Sequence, residues 1–139
     1  MYKKVMVAVG NDETSTFALQ EAVHVASRDG AKLCVVHAAA KADDEESKKN
    51  SQAGAILLEQ TKSAAGSEVE IESRLLDAVG EYGLNSIAEV IANAAVEWGA
   101  DLLVVGTKGR RGLERLVIGS VAERLVQTVE ISILLVRRH

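Results

Sequence analysis

The sequence has few of the features that mark a secreted, disulfide-rich or membrane protein. Among its 139 residues there is one cysteine, Cys34, so neither an internal disulfide nor a cysteine-ligated zinc site can form. No apolar stretch approaches the roughly 18 residues of a transmembrane helix, and the first apolar run, at residues 5–9, is too short for a signal peptide. We therefore expect a cytoplasmic protein that does not bind membranes.

The chain also has no excess of positive charge. The 16 Lys and Arg residues are outnumbered by 20 Asp and Glu residues, which gives a net charge of -4. No field over the whole molecule attracts nucleic acid, so we expect no nucleic-acid partner. The histidines are scattered, and we expect no metal site. We interpret His37 as a hydrogen-bonded histidine of the core or its rim, and Cys34 as a small buried apolar residue.

Proline is absent, so glycine and polar caps must set the helix ends. The chain is 47% hydrophobic and 26% charged, which is typical of a globular protein that folds by burial. Its length fits a single domain over residues 1–139.

Apolar runs rich in Val, Ile and Leu alternate with stretches of helical periodicity. The runs predict buried strands at residues 5–9, 33–38, 69–76, 102–105 and 131–136. The periodicity predicts helices at residues 14–27, 46–63, 85–97 and 120–128. This order predicts an α/β fold, in which a doubly wound parallel sheet carries helices on both faces.

Four details of these elements are also predicted. Thr14 or Ser15 is the expected N-cap of the first helix, and Gly99 the expected C-cap of the third, whose buried face includes Trp98. Acidic residues alternate with apolar ones in the third strand, which indicates an edge or half-exposed strand.

A cluster of glycines and basic residues follows the fourth predicted strand. Ligands of open parallel sheets bind at the carboxyl ends of strands, where glycine lets backbone N–H groups approach an anion. The loop from Gly106 to Ser120 therefore predicts a phosphate site at the start of the last helix, although a tight turn with a solvated basic surface is the simpler alternative. Neither a P-loop nor a G-x-G-x-x-G sequence is present. The basic residues are Lys108, Arg110, Arg111 and Arg115, against Glu114 alone.

The spacing of Gly106, Gly109, Gly119 and Ser120 matches G-x2-G-x9-G-[ST], and here the chain resembles the universal stress proteins, in particular their ATP-binding branch. The resemblance covers essentially the whole chain. It implies a Rossmann-like, five-stranded sheet of order 3-2-1-4-5, with ATP lying across the ends of strands 1 and 4.

By the same resemblance, ten positions would border the nucleotide. Gly106, Gly109, Gly119 and Ser120 would hold the phosphates and ribose, Val105 and Val121 would border the pocket, Ala38 would face the adenine, and Ala8, Val9 and Gly10 would complete the nucleoside side. The chain departs from the family at Gly10, where ATP-binding members usually carry an Asp that engages the nucleoside. Asn11 or Asp12 could supply an acceptor instead.

The resemblance implies a regulatory protein of the stress response that binds ATP with Mg²⁺, its occupancy altering a dimer or partner surface. Catalytic residues are not predicted, because no positioned general base is found, and any ATP hydrolysis would be slow. The alternative is a family member without nucleotide that acts through protein contacts alone. A homodimer is expected through the apolar last strand, from Ile131 to Val136, because an exposed edge strand needs cover.

Overall fold

A computed structural model describes residues 1–10, 13–40, 56, 59–60, 63, 69–78, 84–107 and 120–137. Helices and strands alternate along most of this part of the chain. The elements are β1 (Lys4–Ala8), α1 (Glu13–Asp29), β2 (Lys32–Ala40), β3 (Ile71–Ala78), α2 (Leu84–Trp98), β4 (Leu102–Gly106), α3 (Ser120–Thr128) and β5 (Ser132–Val136). Of the helix predicted at residues 46–63, the described residues 56, 59, 60 and 63 are helical and the others lie outside the description.

The strands form one five-stranded parallel sheet in the order β3-β2-β1-β4-β5, which confirms the predicted α/β fold and strand order. Strand β1 lies at the centre, and Ala8 near its carboxyl end is level with Val36 of β2 and Val105 of β4. The strand order reverses between β1 and β4, which is where ligands of open α/β sheets bind. The third strand lies at an edge, as its alternating acids predicted.

The two faces of the sheet bury separate apolar clusters because successive strand residues point to opposite faces. On one face, Val5 and Val7 of β1 pack in the cluster that contains Ala18 and Ala22 of α1. On the other, Met6 joins the cluster formed with helices α2 and α3. Helices thus cover both faces, as predicted.

The two predicted helix caps have different outcomes. Gly99 is confirmed: its φ of 81° suits a glycine after a helix, and its N–H donates to the Ala95 carbonyl at 3.0 Å. The N-cap prediction is wrong, because α1 begins at Glu13 and both Thr14 and Ser15 lie inside its first turn. Ser15 Oγ instead accepts a hydrogen bond from the backbone of Gly10, before the helix.

At the amino ends of the strands, Asp101, which precedes β4, and Trp98, the last residue of α2, hold β1 in place. The carboxylate of Asp101 accepts hydrogen bonds from the N–H groups of Lys3 and Lys4, at 2.8 and 3.1 Å. Lys4 Nζ donates to the Trp98 carbonyl at 2.9 Å and lies 5.1 Å from the centroid of the indole ring. Trp98 is half-buried against the second cluster, in agreement with its predicted place. No helix within the described ranges is long and apolar enough to cross a bilayer.

Candidate functional site

Four of the predicted site residues share one apolar cluster on one face of the sheet. Val105 of β4 is buried in the cluster beneath α2 and α3, and Ala8, Ala38 and Val121 pack against it, each half-buried. They come from β1, β2, β4 and the first turn of α3, so four elements contribute to one apolar surface at the carboxyl end of the sheet. Ligand sites in proteins are lined mostly by apolar side chains, so this surface is a candidate place for a flat ring.

Ser120 is the first residue of α3, as predicted. The first N–H groups of a helix have no partner within the helix, and the positive end of its dipole favours an anion. The position of α3 is set by Leu125, which is fully buried, and Ala122, which is 2% exposed. Gly109 and Gly119 lie outside the described residues, as do the basic residues of the predicted loop, so their roles stay predictions.

The chain leaving β1 is held by two side chains. The N–H of Val9 still donates to the Val36 carbonyl at 2.9 Å, which continues the ladder to β2. In the next peptide, the carbonyl of Val9 accepts from His37 Nδ1 at 2.7 Å, and the N–H of Gly10 donates to Ser15 Oγ, also at 2.7 Å. Both polar groups of this peptide are therefore bonded to side chains.

His37 lies at the rim of the core, with 9% of its surface exposed, which confirms the interpretation made from the sequence. A carbonyl oxygen can only accept a hydrogen bond, so Nδ1 of the imidazole carries the proton. These two contacts could not be read from the sequence, because His37 lies 28 positions from Val9 and Ser15 lies 5 positions from Gly10 along the chain.

Close packing against Thr14 requires a glycine at position 106. A Cβ at this position would lie 2.6 Å from Thr14 Oγ1 and 2.8 Å from both the carbonyl carbon and oxygen of Thr14. The first turn of α1 therefore lies directly against the end of β4, which only glycine allows. Thr107 follows, 8% exposed, and its N–H donates to the Val136 carbonyl of β5 at 2.9 Å. No pattern in the sequence indicated these contacts of Thr14 and Thr107.

Cys34 is fully buried on the face covered by α2 and α3. Burial, with a smaller contribution from the charge of Glu72, raises the pKa of its thiol from 9.0 to about 11. The thiol is therefore neutral at physiological pH, as expected for an apolar core residue. Among the residues that the structure describes, no three His, Cys, Asp or Glu side chains are grouped to hold a metal ion.

The Usp model, described as the universal stress protein family, matches residues 1–137 of this chain. The chain belongs to the universal stress protein family. Among curated proteins, it is 30% identical to the universal stress protein YxiE of Bacillus subtilis over 154 aligned residues, which cover 99% of this chain and 100% of YxiE. The family predicted from the glycine spacing is thereby confirmed.

Solved universal stress proteins share the fold over almost the full length. The protein UspA from Lactobacillus plantarum superposes with a TM-score of 0.82 at 17% identity, covering 98% of both chains. A universal stress protein in complex with cAMP superposes with a TM-score of 0.71 at 25% identity, covering 97% of both chains. The superposition on UspA shows the Rossmann-like fold. The superposition on the cAMP complex is with a relative that binds an adenine nucleotide.

Proposed function

We propose that this universal stress protein binds ATP, together with Mg²⁺, at the carboxyl ends of β1 and β4, and that nucleotide occupancy regulates its contacts in the stress response. The observation that carries the proposal is that Ala8, Ala38, Val105 and Val121 share one apolar cluster, which includes residues near the ends of β1 and β4, the strands between which the order reverses. The adenine would lie on this apolar surface, and the phosphates would extend toward Ser120 at the start of α3.

The described residues fit such a ligand in their chemistry. The surface for the ring is built of small and branched apolar side chains, whereas the helix start offers N–H donors for an anion. Mg²⁺ is commonly held by substrate phosphates and water with few protein ligands, so a separate metal site in the protein is not required. The cAMP complex of a relative supports an adenine nucleotide as the ligand class.

We further propose that the regulated contact includes a homodimer formed through β5. This strand is an edge of the sheet, and Ile133, Leu134 and Leu135 remain half-exposed on it. An edge strand presents unpaired N–H and C=O groups, which a second copy of the strand can satisfy. A nucleotide near Thr107, which donates to Val136 of β5, would lie close to that edge.

Nucleotide binding is tested by releasing bound nucleotide from freshly purified protein by denaturation and by following thermal unfolding with added ATP and Mg²⁺. ATP at 100 times its dissociation constant should add about 2.7 kcal/mol to the stability of the folded state. Ser120→Ala should weaken binding about tenfold, as the loss of one hydrogen bond to a charged group predicts, and Gly119→Val should abolish it.

The matched control is Thr128→Ala, which removes a hydroxyl from the opposite end of the same helix. Thr128 Oγ1 donates to the Arg124 carbonyl at 2.7 Å, so this variant changes α3 without changing its start. It should bind ATP as the wild type does. If the wild-type protein carries no nucleotide and is not stabilised by ATP, Gly10 has removed the nucleoside contact, and action through protein contacts alone becomes the assignment.

A further inference from the structure

The peptide between Val9 and Gly10 lies where the chain leaves the central strand at the proposed binding surface. A glycine at this place has a wide choice of backbone conformations, and no side chain of its own restricts the direction of the chain. The ladder to β2 ends with the N–H of Val9, so the sheet does not hold the following peptide. Its geometry must come from other contacts.

We propose that His37 and Ser15 are positioning residues for nucleotide binding, because they hold the two polar groups of this one peptide. This inference rests on the proposed function. His37 Nδ1 donates to the Val9 carbonyl and Ser15 Oγ accepts from the Gly10 N–H, each at 2.7 Å. With both groups bonded, rotation of the peptide plane breaks two hydrogen bonds, one of them buried, so the start of the loop keeps one orientation.

The two side chains connect this peptide to the rest of the proposed site. His37 belongs to β2 and is followed by Ala38, which faces the surface assigned to the adenine. Ser15 belongs to the first turn of α1, and the neighbouring Thr14 is packed against Gly106 at the end of β4. The direction of the chain at Gly10 is therefore set relative to β2 and β4, the strands on either side of β1.

This arrangement gives a role to the departure at Gly10. The resemblance implies that, in ATP-binding relatives, a carboxylate at this position engages the nucleoside directly. Here the position has no side chain, and the backbone that borders the nucleoside is oriented by residues on two other elements. His37 and Ser15 would then act on affinity through the backbone, without touching the nucleotide.

The test compares variants that remove each hydrogen bond with variants that keep it. His37→Leu removes the donor and His37→Asn keeps an N–H donor near the position of Nδ1; Ser15→Ala removes the acceptor and Ser15→Thr keeps a hydroxyl. The dissociation constant for ATP with Mg²⁺ is measured by calorimetry at a temperature where every variant is folded. We expect His37→Leu and Ser15→Ala to bind about tenfold more weakly than the wild type, and the Asn and Thr variants to recover most of that loss.

An NMR measurement on the ligand-free protein follows the hydrogen bonds themselves. The Gly10 amide resonance should move strongly in Ser15→Ala and only slightly in Ser15→Thr. Long-range nitrogen–proton spectra of the wild type should show the His37 proton on Nδ1, because the carbonyl of Val9 needs a donor.

The outcomes separate the two proposals. If the wild type binds ATP and all four variants bind it equally well, His37 and Ser15 serve stability alone and the positioning role is wrong, whereas the proposed function stands. If rescue fails, so that Asn and Thr variants bind as weakly as Leu and Ala variants, the hydrogen bonds are not the cause and the inference is again overturned. If the wild type binds no nucleotide, the proposed function fails and the positioning role fails with it, while the Gly10 resonance still reports whether the hydrogen bonds exist.

Discussion

Cys34 and His37 show how placement decides the chemistry of single residues within one strand. Both belong to β2, but Cys34 faces the cluster under α2 and α3 and His37 points to the other face, since the two lie an odd number of positions apart. Burial of the Cys34 thiol and, to a smaller extent, the negative charge of Glu72 both disfavour the thiolate. The imidazole of His37 donates a hydrogen bond to the Val9 carbonyl, just after the end of β1.

Cys34 should be unreactive in the folded protein and should make stability depend on pH in the alkaline range. Its folded pKa, about 11, lies above the ordinary 9.0, so the unfolded chain loses the thiol proton first. The stability that the neutral thiol contributes is complete below pH 9.0 and is lost as the pH rises toward about 11. Ellman's reagent should modify no thiol in the folded protein and one thiol after denaturation.

The comparison variant is Cys34→Ala. It should be less stable than the wild type at neutral pH because it leaves a small cavity, and the difference should shrink on going from about pH 8 to about pH 10. Rapid modification of the native wild-type thiol at neutral pH would contradict the buried, neutral state.

At the scale of elements, contacts in the first two turns of α1 set the position of the helix. Thr14 packs on Gly106 of β4, Ser15 bonds to Gly10, and Ala18 is fully buried under the sheet. The apolar periodicity predicted that a helix packs on the sheet at this point of the chain, because the spacing of apolar residues indicates which face of the helix is buried. The exact first turn depends on the end of β4, which is distant in sequence, and so the predicted cap was misplaced.

Gly106→Ala should destabilise the protein by about 1–3 kcal/mol, because its Cβ would enter space that Thr14 occupies. Two of the three nearest atoms belong to the backbone of Thr14, at 2.8 Å, so the first turn of α1 must move. Urea unfolding of the wild type and the variant measures the loss.

A double-mutant cycle with Thr14→Ala shows which atoms are responsible. Removing Oγ1 takes away the nearest contact, at 2.6 Å, but leaves both backbone contacts. Gly106→Ala should therefore cost nearly as much in the Thr14→Ala background as in the wild type. Full recovery there would mean that the hydroxyl alone excludes a side chain at this position.

At the scale of the whole molecule, the two edges of the sheet differ in character. On β3 two of the three exposed residues that the structure describes, Glu72 and Asp77, are acidic and the third is Leu75. Arg74 forms an ion pair with Glu72, which also raises the pKa of the guanidinium. On β5 three consecutive half-exposed residues are apolar, residues 133–135. Charged side chains on an edge discourage pairing with another chain, and an apolar edge favours it. Pairing of two copies is therefore proposed at β5 and not at β3.

Ile133→Pro should convert the proposed dimer into a monomer that remains folded. The Val136 carbonyl points toward β4, and strand residues alternate, so the N–H of Ile133 points away from β4 to the free edge. Proline there removes a donor for a second chain without breaking the ladder inside the sheet. Light scattering should give twice 14.8 kDa for the wild type and 14.8 kDa for the variant.

Ser73→Pro is the matched control at the opposite edge. The Glu70 carbonyl points toward β2, so the N–H of Ser73 points outward by the same alternation. This variant should stay dimeric. A wild-type protein that is monomeric at every concentration, or a Ser73→Pro protein that loses the dimer while Ile133→Pro keeps it, would contradict pairing through β5.

The sequence by itself determined the fold class and the family, and the resemblance to that family implied the strand order. Apolar runs and helical periodicity are local records of which residues are buried, and the spacing of Gly106, Gly109, Gly119 and Ser120 is specific enough to indicate the family. The same local patterns marked Gly99 as a helix end and β3 as an edge.

Only the tertiary structure decided how the candidate site is held together. The bonds of His37 and Ser15 to the peptide between Val9 and Gly10, and the contact of Gly106 with Thr14, join separate elements of the fold. A side chain such as that of Ser15 can satisfy several local partners equally well, and the partner it takes is chosen by the packing of α1 against the sheet. Local patterns report burial, whereas these contacts depend on where separate elements meet.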